Sequence, residues 1–372
     1  MPPETGTGPN PFGASVEHVR GGNEHPAARL SSPIGKSLMS LTNRQWLIND
    51  RPRGRALADN DFKWVETPAG EPREGEILAR TLYLAFDPAQ KGWMENIGGY
   101  MAPTQIGEVM RGSGIAEVVA SNAPGLSVGD KVTGMLGWQD YPILPASQVT
   151  KLADDDLLTA NLGVLGTTGM TAFFGLNKIG KPFPGDTLVI TGAAGATGSV
   201  VGQIGKIAGC RVIGVAGGEA KRRWLVDDLG FDGAVDYKQG DVRRQLAELA
   251  PGGINVLWDN VGGPIFNDLL GQLALHARVV VCGGISRYEL GDMPAGPQNY
   301  FNLIFKRAQM EGFIVLDYMA QYPWARARLT SWIKEGRIRY KEDVQHGLEN
   351  APRTLARLFQ GENFGKQILK VA

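Results

Sequence analysis

The sequence predicts an α/β protein in which a small all-β unit precedes a doubly wound parallel sheet. Three observations predict it. An apolar strand over 188–191 runs through Gly192, Gly195 and Gly198 into an amphipathic helix, and strands and helices then alternate regularly to residue 284. Residues 44–160 carry a different texture, short alternating segments broken by Gly and Pro. The first two features read as repeated βα units and the third as an all-β barrel.

The turn is the most informative element. Leu188-Val189-Ile190-Thr191 has the unbroken apolar character of a strand buried on both faces, and Val200, Val201, Ile204, Ile207 and Ala208 recur at helical spacing. Three spaced glycines between such elements form a dinucleotide-binding turn. Gly195 lets the backbone approach a pyrophosphate, Gly198 allows close helix-to-strand packing, and the first amides of the helix, with Ala196 and Thr197, offer donors. Further along, strands are predicted at 211–216, 233–237, 255–261 and 277–284. Helices are predicted at 220–229, at 241–250 with Asp241 near its cap, and at 264–273 with Pro264 in its first turn.

The cofactor's 2′ substituent is read after the second strand, where an NAD-specific site usually places an acid. Here the strand ends in Gly217-Gly218, and Glu219 reads as a first-turn acid of the next helix. Lys221-Arg222-Arg223 follow, so Lys221 or Arg222 could meet a 2′-phosphate, which argues for NADP. The competing reading puts all three cations on a solvated helix face.

Composition limits the alternatives. Lys and Arg number 38 against 38 Asp and Glu, which gives no sign of a nucleic-acid or anionic-membrane surface. No apolar run reaches the length of a membrane span and no signal-peptide pattern opens the chain, so a cytoplasmic location is expected. Residues 1–40 hold six Pro and six Gly and are expected to be a disordered extension. Only Cys210 and Cys282 exist, with four histidines, too few for a catalytic zinc set plus a structural four-cysteine lobe; no metal site is expected.

Several motifs in order carry a family resemblance: Gly107-Glu108-Val109-Met110-Arg111-Gly112, Gly166-Thr167-Thr168-Gly169-Met170-Thr171-Ala172, the glycine turn, Asp259-Asn260-Val261-Gly262-Gly263, Cys282-Gly283-Gly284-Ile285-Ser286-Arg287-Tyr288, and Gly361-Glu362-Asn363-Phe364-Gly365-Lys366. Across about 44–371 the chain resembles the zinc-free medium-chain dehydrogenases/reductases of the prostaglandin reductase, leukotriene dehydrogenase and curcumin reductase branch. The resemblance implies a GroES-like β-barrel plus a Rossmann doubly wound sheet. The barrel unit would take 41–164 and 335–372, and the NADP-binding unit 165–334.

The resemblance also implies roles. Gly195, Ala196, Thr197 and Gly198 would hold the pyrophosphate, Lys221 the 2′-phosphate, and Tyr237 the adenosine end. Asn260, Cys282, Gly283, Gly284, Ile285, Ser286, Arg287 and Tyr288 would flank the nicotinamide half, with Phe313, Ile314, Val315 and, from the C-terminal segment, Asn363. One departure is plain. Many relatives carry Asp-Pro-Tyr-Met-Arg in the first unit, whereas this chain has Asp87-Pro88-Ala89-Gln90-Lys91 and lacks the Tyr that faces substrate.

The implied chemistry is NADPH-dependent reduction of a carbon–carbon double bond conjugated to a carbonyl, in a small-molecule enone or enal. Hydride reaches the β carbon, charge develops on the carbonyl oxygen, and a fixed donor there lowers the barrier. Tyr288 is the expected donor, against the alternative of a structural ring over the ribose. A quinone oxidoreductase and an NADPH-binding protein with little turnover are the other readings. Substrate shape would depend on aromatic residues such as Trp93, Tyr100, Trp138, Tyr141, Tyr300 and Tyr318, any of which could equally be packing. A homodimer is expected, because 311–316 reads as an apolar last strand with an unpaired edge.

Overall fold

The computed structural model describes residues 41–95, 99, 101–291 and 295–372. The expected extension over 1–40 and Tyr100 lie outside the described residues.

Short alternating segments build the first half. β1 (Thr42–Ile48) pairs antiparallel with β2 (Phe62–Pro68). Then come β3 (Glu76–Ala85), helix α1 (Ala89–Glu95), β4 (Ser113–Ser121), β5 (Lys131–Met135), β6 (Ile143–Pro145) and β7 (Val149–Leu152). In β4, Ala116, Val118 and Ala120 are buried while Glu117 and Val119 turn outward, the period-two pattern of a strand with one covered face. Trp138 fills the centre of this core, stacked on Phe62 and tilted against Phe86, each with ring centroids at 5.2 Å.

Helix α2 (Thr167–Phe174) leads into the βα repeats: β8 (Thr187–Thr191), α3 (Ala196–Ile207), β9 (Arg211–Ala216), α4 (Glu219–Arg223), β10 (Gly233–Asp236), α5 (Val242–Leu249), β11 (Ile254–Asp259), α6 (Gly263–Leu270), β12 (Leu273–Val281), α7 (Asn302–Lys306) and β13 (Gln309–Gly312). The six strands form one parallel sheet in the order β10-β9-β8-β11-β12-β13. The order reverses between β8 and β11, and the crevice at their carboxyl ends is where such a sheet takes its ligand. Leu188 and Ile190 pack into one layer with Val200, Val201 and Ile204, whereas Val189 joins Ile213, Val215 and Leu257 on the other face. Burial on both faces is why these strands read as continuous apolar runs.

After helix α8 (Tyr322–Lys334) the chain adds β14 (Glu342–His346), helix α9 (Ala351–Phe359) and β15 (Lys366–Lys370) to the first sheet, whose order is β14-β15-β3-β4-β5-β7 with β6 paired to β3. β15 runs antiparallel to β3, with Leu369 opposite Leu84.

The helix predicted over 264–273 ends at Leu270, so the strand predicted over 277–284 starts earlier and runs over Leu273–Val281. Two further elements differ from expectation. The helix predicted over 220–229 is α-helical only through Arg223 and widens into a π turn over Trp224–Asp228. The wider turn buries Leu225 and lets Trp224 meet Phe364 edge-on, with centroids 5.0 Å apart. The apolar edge strand predicted over 311–316 stops at Gly312. Phe313 leaves the ladder to pack edge-on against Trp258 (6.0 Å) above Gly175, where a Cβ would lie only 2.4 Å from the Phe313 ring. Gln309, Glu311 and Gly312 of the true edge are exposed and mostly polar.

Candidate active site

The glycine turn is held from below by the neighbouring strand. The Thr191 hydroxyl donates to Asp259 Oδ1 (2.6 Å) and accepts from the Asn260 amide (2.8 Å). Asn260 Nδ2 donates to the Thr191 carbonyl (2.7 Å), and its Oδ1 accepts from Trp258 Nε1 (3.0 Å). The Asp259 carboxylate, pushed up by burial, also accepts from the amides of Val261 and Gly262. Asn260 therefore sits beside the turn with its amide group engaged in holding it. Gly198 needs its missing side chain, because a Cβ there would come within 2.5 Å of the Gly192 carbonyl oxygen and 2.9 Å of Ala193 Cα. The first amides of α3, from Ala196 and Thr197, open toward the crevice end of the sheet.

The C-terminal segment lies directly on this turn. The Gly365 amide donates to the Ala194 carbonyl (3.0 Å), and Gly195 and Gly365 form a parallel bridge. Asn363 Nδ2 donates to the Gly365 carbonyl (3.1 Å), and buried Lys366 ties the segment to Asp87 Oδ1 (2.6 Å) at the start of α1.

At one end of the crevice, Lys221 Nζ donates to the Gly361 carbonyl (2.7 Å). Burial, then the nearby Lys238 ammonium, lower its pKa; Asp343 acts weakly the other way. Gly217 is tight against Tyr237 and Lys238, since a Cβ there would fall 2.9 Å from each side chain. Two ammonium groups and a phenol thus converge on the end of β9, an arrangement suited to a 2′-phosphate beside an adenosine. Arg222 and Arg223 instead pair with Glu219 at 3.3 and 2.8 Å on the helix surface. Lys238 was missed by the sequence reading, and its signal was the cation directly after Tyr237.

The loop after β12 closes the other end. The amides of Cys282 and Gly283 donate to the Asp259 carbonyl (2.9 and 3.1 Å), that of Ile285 to Asn260 (3.2 Å) and that of Ser286 to Val261 (3.1 Å). The Ser286 hydroxyl adds a bond to the Val261 carbonyl (2.6 Å). A 3₁₀ turn over Ile285–Arg287 then delivers Tyr288, half-buried, with its ring 5.8 Å from that of Phe359 and against Gly92 of α1. Tyr288 thus reaches from the parallel sheet to the first unit. Burial, aided by Asp259, pushes the Cys282 thiol up to about 12, and burial pushes Cys210 up to about 11. Both are neutral thiols at physiological pH, hence poor nucleophiles.

Other candidates divide. Phe313 packs on Trp258 and Val315 is buried in the core, whereas Ile314 is partly exposed. Trp138 is wholly buried and Tyr318 stacks on Phe174 at 4.9 Å, so both are packing residues. Tyr300 is exposed beside Phe301, and Tyr141 lines an open groove with Arg44 and Asp140. Among the described residues no three His, Cys, Asp or Glu side chains are grouped to hold a metal ion.

The chain matches two family profiles, one described as the N-terminal domain of oxidoreductase over residues 44–152 and one as zinc-binding dehydrogenase over residues 196–331. It is 42% identical over 336 residues to the NADPH-dependent curcumin reductase of Escherichia coli, covering 89% of this chain and 97% of the relative. It is 40% identical over 338 residues to the NADP(+)-dependent 2-alkenal reductase of Nicotiana tabacum, covering 89% and 98%. The crystal structure of CurA from Vibrio vulnificus in complex with NADPH superposes with a TM-score of 0.84 at 40% identity, over 88% of this chain and 99% of that one. With its parallel sheet, its glycine turn and these relatives, the chain belongs to the zinc-free branch of the medium-chain dehydrogenase/reductase superfamily that includes the curcumin and prostaglandin reductases.

Proposed function

We propose that the protein is an NADPH-dependent ene reductase that reduces the carbon–carbon double bond of α,β-unsaturated ketones or aldehydes by hydride transfer to the β carbon. The observation that carries this reading is the crevice itself. Segment 361–365 lies on the glycine turn, two lysines stand at one end, and at the other Tyr288, on the loop that follows β12, packs against Phe359 and Gly92 of the first unit. The names of the curcumin and alkenal reductases support the choice of substrate class.

The residues fit NADPH. Lys221 and Lys238 would take the 2′-phosphate, Tyr237 the adenosine end, the 195–198 turn the pyrophosphate, and Asn260, 282–288 and Asn363 the nicotinamide half. When bound, NADPH supplies the hydride. The Tyr288 hydroxyl donates to the substrate carbonyl oxygen as it gains charge, and a proton from that hydroxyl, replaced from solvent, or from solvent through it, completes the α carbon. The Asp259–Thr191–Asn260 bonds keep the turn fixed while this occurs. The barrel unit comprises 41–164 and 335–372 and the NADP-binding unit 165–334, so the crevice lies between them.

The reading is tested by NADPH oxidation across aliphatic enones, aryl enones, 2-alkenals, 15-oxo lipids and quinones. Enones or alkenals should give the highest kcat/KM; activity with quinones alone would replace the reading by a quinone oxidoreductase, and no oxidation by any acceptor by an NADPH-binding protein.

We infer that the protein forms a homodimer. On either side of the polar edge strand in sequence, Tyr300, Phe301, Ile304 (65% exposed), Phe305 (70%), Leu316 and Met319 are exposed apolar side chains. Gathered at an interface, they would suit contact with a second copy of the chain. Light scattering should return twice the 40.0 kDa chain mass at micromolar concentration. A monomer mass would contradict it.

A further inference from the structure

Helix α1 carries a charged pair where a helix surface pair would be expected to meet water. Lys91 and Glu95 are one turn apart, and their side chains are only 0% and 3% exposed. The three N–H groups of the Lys91 ammonium have three acceptors: the Pro52 carbonyl (2.9 Å), Glu95 Oε1 and the carbonyl of Tyr288. Each acceptor belongs to a different segment, and the third belongs to the loop that follows β12.

The surroundings reinforce that meeting point. Arg53 Nε donates to the Glu95 carbonyl (2.7 Å), and Arg51 Nη1 donates to the Met94 carbonyl. Gly54, at φ +66°, approaches Gly291 so closely that a Cβ would lie 2.4 Å from Gly291 Cα. The 51–54 strap, the end of α1 and the 288–291 loop are thus packed into one joint beside the Tyr288 ring. Burying an ammonium and a carboxylate is costly, and apolar residues of similar volume often serve stability as well or better. What they cannot do is hold the Tyr288 carbonyl from across the crevice.

We propose that Lys91, neutralised by Glu95, is a positioning residue that fixes the backbone of Tyr288 and so sets where its ring stands over the crevice. The proposal rests on the reading that substrate is reduced beside that ring. A displacement of about 1 Å in a reacting group is enough to cost on the order of a hundredfold in rate, so a lost carbonyl anchor acts on turnover more than on NADPH binding.

The test is the double variant Lys91→Met/Glu95→Leu, which removes both charges together and keeps the side chains close in size. It should melt near the parent protein. Amides 285–290 should exchange hydrogen at least about tenfold faster, with those of β8 and α3 unchanged. Turnover on the best enone should fall about ten- to a hundredfold, with the KM for NADPH within about twofold. Lys91→Arg, which keeps the charge and much of the reach, should recover most of both losses. Unchanged exchange at 285–290, with or without a turnover loss, overturns the proposal, as does failure of the double variant to fold. Tyr288→Phe, assayed alongside, separates the two ideas. Full turnover in that variant removes the hydroxyl from the chemistry, while the exchange result still reports whether Lys91 holds the loop.

Discussion

Tyr288→Phe is expected to lower turnover about ten- to a thousandfold on the best enone, with NADPH affinity nearly unchanged. The substitution keeps the ring that packs against Phe359 and Gly92 and leaves the backbone carbonyl bonded to Lys91. Only the hydroxyl is lost. Because it acts on charge that develops in the transition state, its removal affects kcat rather than ground-state binding. The loss should be larger for weakly activated enones than for strongly electrophilic acceptors, whose oxygen needs less help. An unchanged kcat at saturating NADPH would move the donor to the nicotinamide ribose or a bound water.

The second large effect is expected at Lys221→Ala, which should raise the KM for NADPH roughly tenfold or more, a charge-assisted contact of about 1.5–3 kcal/mol, and barely change that for NADH. Lys238 remains at the site, so Lys221→Ala/Lys238→Ala should lose further affinity. A pH dependence follows with a definite sign. Burial and the Lys238 charge favour the neutral form of Lys221, so in the free protein it releases its proton below the ordinary lysine value of 10.5. A 2′-phosphate favours the charged form. NADPH binding should therefore take up a proton as pH passes through the lowered value, and the KM for NADPH should climb there while that for NADH stays flat. Equal losses for both cofactors in Lys221→Ala would assign the lysine to holding Gly361 instead.

The parallel sheet was legible because its signals are local. β8 is apolar throughout since both faces are covered, the glycines follow at once, and Asp241 caps α5 by accepting from the amides of Arg243 and Arg244. The choice between Lys221 and Arg222 was only half legible. It depends on Glu219, which engages both arginines, and on Gly361, which is distant in sequence and meets Lys221 only after the C-terminal segment crosses the turn. The edge strand was misread because Phe313, Ile314 and Leu316 look like a strand's apolar run. Burial of the Phe313 ring beside Trp258 instead pulls the backbone out of the ladder. Lys91 and Glu95 were invisible for the opposite reason. A Lys–Glu pair at i,i+4 spacing has the pattern of a solvated helix face, and only the meeting of Pro52 and Tyr288 above it shows that the face is covered.

Hydride delivery to the β carbon is tested most directly by isotope transfer. The protein is incubated with an enone and NADPH carrying deuterium at both C4 positions of the nicotinamide, and the product is examined by deuterium NMR. The expected product is a saturated carbonyl compound with one deuterium on the β carbon and none on the α carbon or the carbinol position. An allylic alcohol labelled at the carbonyl carbon, or NADPH consumption without a labelled saturated product, would contradict it.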